Sequence, residues 1–216
     1  MSRPLREEYP ELTRRAVLEA ARQLFGERGF FQVKVDEIAA ASRVSPATVY
    51  AQCGGKHGLL RSLMDIWTTD AHIGESEQDI LASDDPAVVL RTLANGYRFM
   101  HEKWGDVTAI VLGVAPHDKE AAAILATAQQ RHRRALARAC RHLADIGGLR
   151  DGVDAPTAAR LITYFYGIDG LARAQRTLGW PVARTSEWLL AQASAAVLRR
   201  GPAPAGDLGT APVRTG

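Results

Sequence analysis

Residues 35–50, Val-Asp-Glu-Ile-Ala-Ala-Ala-Ser-Arg-Val-Ser-Pro-Ala-Thr-Val-Tyr, constrain this chain more than any other stretch, because they write two short helices and the tight corner between them. Ile38, Ala39 and Ser42 recur at helical spacing and Val44 is an apolar corner residue. Ser45 followed by Pro46 is a strong start signal for a second helix. The serine can cap exposed backbone N–H groups, and proline suits the first helical position, where no hydrogen bond is lost. Val49 is then the inward residue, and Ala47, Thr48 and Tyr50 stand near the exposed N-terminal end of that helix. Helix-turn-helix is the reading this pattern supports.

The flanks extend the pattern. Leu24-Phe25-Gly26-Glu27-Arg28-Gly29-Phe30 precedes it, and Tyr50-Ala51-Gln52-Cys53-Gly54-Gly55-Lys56-His57-Gly58-Leu59-Leu60 follows. Phe25, Gly29, Phe30, Val35, Ile38, Ala39, Val44, Ser45, Ala47, Thr48, Val49, Tyr50, Lys56 and Leu59 stand at fixed spacing. With them, the block from about Thr13 to Leu63 resembles the DNA-binding domain of TetR-family transcriptional regulators. The resemblance implies an all-α homodimer that binds a pseudo-palindromic, double-stranded operator, most often as a repressor, and is released by a small hydrophobic effector of unknown identity. It implies that Lys34, Thr48, Tyr50, Gln52 and Lys56 hold phosphates, that Pro46, Ala47 and Arg43 face or border the bases, and that Ser45 belongs to the same surface. The rival readings are a TetR-like DNA-binding protein without a small-molecule effector, in an architectural or cell-cycle role, and a helical enzyme or interaction module whose corner is incidental.

Departures from the family pattern are informative. Lys34 replaces a threonine that usually caps the second helix, weakening the cap while offering a cation for a phosphate. Arg43 replaces a usual glycine, and a left-handed backbone there would cost a non-glycine residue about 1 kcal/mol. Gln52 and Cys53 stand for the usual His and Phe.

The chain has 216 residues, enough for a second and larger core. The expected division is a flexible arm over 1–12, a helix-turn-helix domain over 13–55, a ligand-binding and dimerisation domain over 56–200 and a disordered tail over 201–216. A net charge of +3 does not by itself mark a nucleic-acid binder. The placement of Arg14, Arg15, Lys34, Arg43 and Lys56 matters more: each can neutralise a phosphate or be an ordinary solvated charge. Two cysteines, Cys53 and Cys140, are too few for a disulfide framework or a zinc site. No apolar run reaches the roughly 20 residues that span a bilayer, and no signal sequence opens the chain, so a soluble cytoplasmic protein is expected. There is no nucleophile elbow, phosphate-cradling glycine loop or metal-ligand cluster, so neither an enzyme nor a cofactor is expected.

In chain order, Val17, Leu18, Ala21, Leu24 and Phe25 form the buried face of a helix starting near Thr13 and ending at Gly29. A helix opening at Lys56 is expected to reach about Ala71, followed by a loop from His72 to Asp85. Pro86 starts a helix that Gly105 and Asp106 end, and a short apolar helix covers 107–115. Asp118 caps a long helix to about Ile146, with an arginine-rich face read as solvated. Two further helices, 155 to about 178 and from after Thr185 to near Arg200, carry more apolar surface than one core absorbs and suit a dimer interface through the last two helices. Candidate ligand-binding residues are Trp67, Tyr97, Met100, His101, Trp104, Ile110, Tyr164, Phe165 and Asp169.

Overall fold

Local start and stop signals set most of the helix boundaries in the computed structural model, which describes residues 5–199, with side chains from residue 10. Among the described residues there are ten α-helices and no strand: α1 Leu5–Arg28, α2 Val35–Ala41, α3 Pro46–Cys53, α4 Gly55–Thr68, α5 Ala71–Ala82, α6 Pro86–Val114, α7 Lys119–Asp145, α8 Ala155–Tyr166, α9 Gly170–Leu178 and α10 Val182–Val197. Ser45, Asp85, Asp118 and Asp154 each accept a hydrogen bond from a first-turn N–H, and Pro46, Pro86 and Pro156 occupy first-turn positions. Gly29 leaves α1 at φ 81°, as the sequence predicts.

Five boundaries differ from expectation. The first helix begins at Leu5 rather than near Thr13, so residues 5–12 of the expected arm are helical despite Pro10, while residues 1–4 and the tail from residue 200 lie outside the described residues. Residues 72–82 form α5 instead of a loop: Asp70 accepts from the His72 N–H at 3.1 Å, and Glu77 pairs with Arg138 of α7, so tertiary contacts supply what its weak apolar pattern does not. Gly105 and Asp106 do not break α6. The buried stripe continues through Val107, Val111 and Val114, and Arg22 of α1 holds Asp106 from outside with bonds of 2.6 and 2.7 Å. Conversely, the helix expected over 155–178 is two helices. A Cβ on Gly170 would lie 2.2 Å from the Phe165 carbonyl oxygen, and the Arg173 guanidinium donates to the Tyr164 carbonyl at 2.9 Å, closing the end of α8. The last helix begins at Val182, because the Thr185 hydroxyl donates to the Pro181 carbonyl inside its first turn instead of capping it.

Packing divides the molecule along α6 and α7. One core joins α1–α4 to Trp104, Val107, Val111 and Val114 of α6 and to Ala121, Ile124 and Ala128 of α7. The second gathers Ile80, the first half of α6, the second half of α7 and α8–α10. The boundary expected at 55/56 runs through the first core, since Leu59, Leu60, Leu63 and Met64 of α4 are buried in it. Polar ties follow the same seam. His57 bonds Asp118 at 2.8 Å, while Asp70 accepts from the Trp104 indole at 2.9 Å and pairs with Lys103 at 2.8 Å. Burial acts to raise the Asp70 pKa, but the bonds from Lys103, Trp104 and His72 outweigh it and the net shift is downward. No helix among the described residues is long and apolar enough to cross a membrane.

The junction of α3 and α4 leaves no room for a side chain at Gly58, where a Cβ would fall 1.5 Å from the Cys53 carbonyl oxygen. Gly58→Ala is therefore expected to destabilise the chain by about 3 kcal/mol or more, as forced overpacking against backbone does. Chemical denaturation of the variant beside Gly26→Ala, which has open space around it, measures this.

Candidate functional site

The corner is assembled by short-range bonds. Glu37 accepts from the Lys34 backbone N–H at 2.8 Å and pairs with Arg28 at 2.8 Å, supplying the cap that the Lys34 side chain does not. The Lys34 amide first and the Arg28 guanidinium second hold the Glu37 carboxyl below its ordinary pKa. At the end of α2 the Ser42 hydroxyl donates to the Ile38 carbonyl at 2.7 Å, and Arg43 turns the chain at φ 58°, the left-handed conformation that its substitution for glycine made costly. Ser45 Oγ then accepts from the Thr48 N–H at 3.1 Å and lies 2.9 Å from the Thr48 hydroxyl. Val49 is fully buried and fixes the roll of α3.

That roll exposes Arg43, Ser45, Pro46, Ala47 and Tyr50, with Lys34 exposed beside them and Thr48 half-buried. Tyr50, 59% exposed, rests over the start of α4, where a Cβ on Gly55 would meet its ring at 2.9 Å. Lys56 lies in the first turn of α4 with Nζ 4.5 Å from the Phe30 ring centroid, and partial burial lowers its pKa. Lys34, Arg43 and Tyr50 are thus exposed on the segments that flank or form α3, whose N-terminus carries the exposed apolar Pro46–Ala47 pair, and Lys56 follows in the first turn of α4, a combination suited to anions and base edges. Arg14 departs from the expected set. Its guanidinium donates to the Gln52 carbonyl at 3.0 Å and to Ser62 Oγ at 2.9 Å, so it ties α1 to α3 and α4. Cys53 is buried, and desolvation pushes its thiol pKa up, away from the reactive thiolate.

A second feature is a cavity of about 210 Å³ in the C-terminal half. Of the residues expected around a ligand, Trp67, Tyr97, Met100, His101 and Asp169 line it. Trp104, Ile110, Tyr164 and Phe165 do not. The cavity face of α6 carries Tyr97, His101, Gly105, Thr108 and Leu112, a helical stripe that leaves Trp104 and Ile110 to one side. Trp104 turns to Asp70 and lies beneath Arg22, whose guanidinium carbon is 4.8 Å from its ring centroid. Because α8 stops at Tyr166, Gly167 and Asp169 reach the cavity while Tyr164 is 73% exposed and Phe165 packs on the second core.

Among the lining residues that the sequence reading did not include are His132 and Tyr166, both joined to Tyr97. The Tyr97 hydroxyl and His132 Nε2 are hydrogen-bonded at 2.6 Å, and the Tyr97 ring stacks on Tyr166 with ring centroids 4.8 Å apart and planes 14° apart. The stacking pair sits 69 residues apart in sequence, so no local pattern announces it. Burial first, and Arg133 second, push the His132 pKa down to about 4, so the ring is neutral at pH 7. Burial likewise raises the pKa of both phenols.

Comparison with known proteins places this geometry. Residues 17–63 match the model of bacterial regulatory proteins of the tetR family. The HTH-type transcriptional repressor Rv3405c of Mycobacterium tuberculosis is 30% identical over 128 residues; the match covers 52% of this chain and 65% of that protein, just under two thirds of its length. Among solved structures, the complex of SmeT with triclosan aligns at TM-score 0.73 and 18% identity, over 90% of this chain and 99% of that one; SmeT is the repressor of a Stenotrophomonas maltophilia multidrug efflux pump. The fatty acid degradation regulator FadR of Bacillus halodurans aligns at TM-score 0.72 and 16% identity, over 84% and 94%. These structural likenesses show a shared fold.

Two outcomes follow from the site chemistry. Arg43→Gly relieves the left-handed backbone and is expected to raise stability by about 1 kcal/mol in chemical denaturation. His132 has a folded pKa below its ordinary 6.5, so the unfolded chain takes up its proton first as pH falls. Its contribution is complete above pH 6.5 and is lost by pH 4, a fall of about 3 kcal/mol over that window. His132→Gln removes this part of the slope when stability is measured across the same range.

Proposed function

We propose that this chain, whose residues 17–63 match the model of the tetR family of bacterial regulatory proteins, belongs to that family and acts in the cytoplasm as a homodimeric repressor that binds a pseudo-palindromic operator and leaves it when a small molecule fills the cavity. The observation that carries the reading is the exposed face of α3. Val49 is buried and anchors the helix, Pro46, Ala47 and Tyr50 are exposed, and Lys34 and Arg43 are exposed on the segments before it. In this reading the two α3 helices of a dimer enter successive major grooves. Lys34, Thr48, Tyr50, Gln52 and Lys56 hold phosphates, and Arg43 with the apolar Pro46–Ala47 tip meets base edges.

Dimerisation is assigned to α8 and α10, which pack on one another and leave Tyr164 and Trp188 exposed. The effector role of the cavity is supported by its position beside α6, whose far half belongs to the core that holds the DNA-binding helices. The relative of the same fold, SmeT, has been solved with triclosan bound. A ligand that binds one arrangement of the two heads better than another shifts the population by that difference in affinity and by no more.

Purified protein titrated with the DNA adjoining its own gene, at two salt concentrations, tests the reading. Tight, salt-dependent binding is expected. Tyr50→Ala combined with Lys56→Ala is expected to weaken it at least tenfold and to flatten the salt slope by about 1 per subunit; a folded double variant with unchanged affinity and slope contradicts the assignment. Tyr164→Glu is expected to convert the dimer to monomer in sedimentation. The substitution introduces a charge at a site that is exposed in the monomer, so folding is spared.

A further inference from the structure

We infer that the cavity takes an apolar molecule of about one ring and a short chain ending in a carboxylate, with the ring inside and the carboxylate at the mouth against the Arg176 guanidinium. The inference rests on the preceding reading in taking this cavity as the effector site, and goes beyond it in naming the ligand's chemistry.

Arg176 belongs to the lining because of how α9 is rolled. Leu171 is buried in the second core, while Ala172 and Arg176, one turn apart, both line the cavity. Other polar side chains of α9 are engaged: Arg173 pairs with Asp169 at 3.0 Å and donates to the Tyr164 carbonyl at 2.9 Å, and Gln175 is bonded to His101 at 3.2 Å. Arg176 is exposed, and among the described residues it makes no hydrogen bond, ion pair or ring contact. An exposed residue on a cavity lining marks its mouth, and this one carries an uncommitted cation.

The other polar groups of the lining leave that charge unbalanced. The one carboxylate there, Asp169, is held by Arg173. Burial keeps His132 neutral at pH 7 and raises the pKa of both phenols, Tyr97 and Tyr166, so none of the three supplies an anion. The charge left for a ligand to meet is therefore the Arg176 guanidinium. A carboxylate matches the planar fork of one guanidinium through two parallel hydrogen bonds, whereas an ammonium would meet a like charge. Trp67, Met100, Leu112 and Ile168 supply an apolar wall for a hydrocarbon body. For size, an apolar cavity of about 150 Å³ holds benzene. The cavity of about 210 Å³ here admits one ring with a short chain.

The test is calorimetric titration of the full chain at pH 7, free of DNA, with three probes of similar shape: phenylpropanoate, phenylpropanamide and phenylpropylammonium. Phenylpropanoate is expected to bind saturably, about fivefold more tightly than the amide and more tightly still than the ammonium, and to weaken as salt screens the solvent-open pair. Arg176→Gln is expected to remove the advantage of the carboxylate and to leave the amide unchanged. Arg91→Gln removes an exposed charge that lies off this lining and is expected to change neither. Thermal melting confirms that both variants fold. The inference is overturned by amide or ammonium affinity equal to that of the carboxylate, by equal losses of carboxylate and amide in Arg176→Gln, by carboxylate affinity that Arg176→Gln leaves intact or that Arg91→Gln reduces as much, or by saturation with none of the three. Operator displacement is scored separately. If phenylpropanoate binds the free chain through Arg176 but does not displace DNA, the ligand class stands and the effector reading fails; if the chain binds operator and no probe titrates, the ligand class fails and the DNA-binding reading stands.

Discussion

The burial of Leu59, Leu60, Leu63 and Met64 along α4 is the interaction on which the rest of the structure depends. These side chains share one core with Val17, Phe25, Ile38 and Val49 on one side and with Val107, Val111 and Ile124 on the other. The exposed face of α3 has no independent foundation, because α3 is eight residues long and too short to be stable alone. Its orientation is inherited from α4 through Val49, Cys53 and the close backbone approach at Gly58. A displacement of α4 therefore carries α3 with it.

The cavity stands at the other end of the same chain of contacts. Trp67, on the last turn of α4, lines it, and so does α6, whose Trp104 and Asp106 are tied to α1 by Arg22. Bonds of this kind between partly exposed groups contribute modestly to stability. Their weight lies in geometry: Arg22–Asp106, Asp70–Trp104 and His57–Asp118 fix α1, α5 and α4 to α6 and to the head of α7 at three separated points. Together they tie α1, α4 and α5 to α6 and α7 around the first core.

Legibility in the sequence followed the range of the interaction. The corner was readable because its determinants are local: Ser45 and Pro46 start α3, and the glycine-to-arginine departure at Arg43 marked a backbone that is indeed left-handed. Likewise Asp118 announced α7. What escaped reading was set from elsewhere in the chain. Nothing within 72–82 signals that Glu77 will find Arg138, and nothing around Gly105 signals that Arg22 will hold Asp106 and let α6 run on. The same holds for the cavity. Trp67, Tyr97, Met100, His101 and Asp169 were found by composition, but His132 and Tyr166 joined them only through the Tyr97 contacts, and reading Gly105 as a break hid the stripe that excludes Trp104.

The central claim is that DNA meets α3 and the first turn of α4, on a surface that α4 positions. Hydrogen exchange of the full chain, with and without the DNA adjoining its gene, tests it most directly. The account predicts new protection confined to residues 34–58, spanning Lys34, Arg43, Tyr50 and Lys56. Protection centred instead on the arginine-rich face of α7, around Arg133, Arg134 and Arg141, with residues 34–58 unchanged, would contradict it.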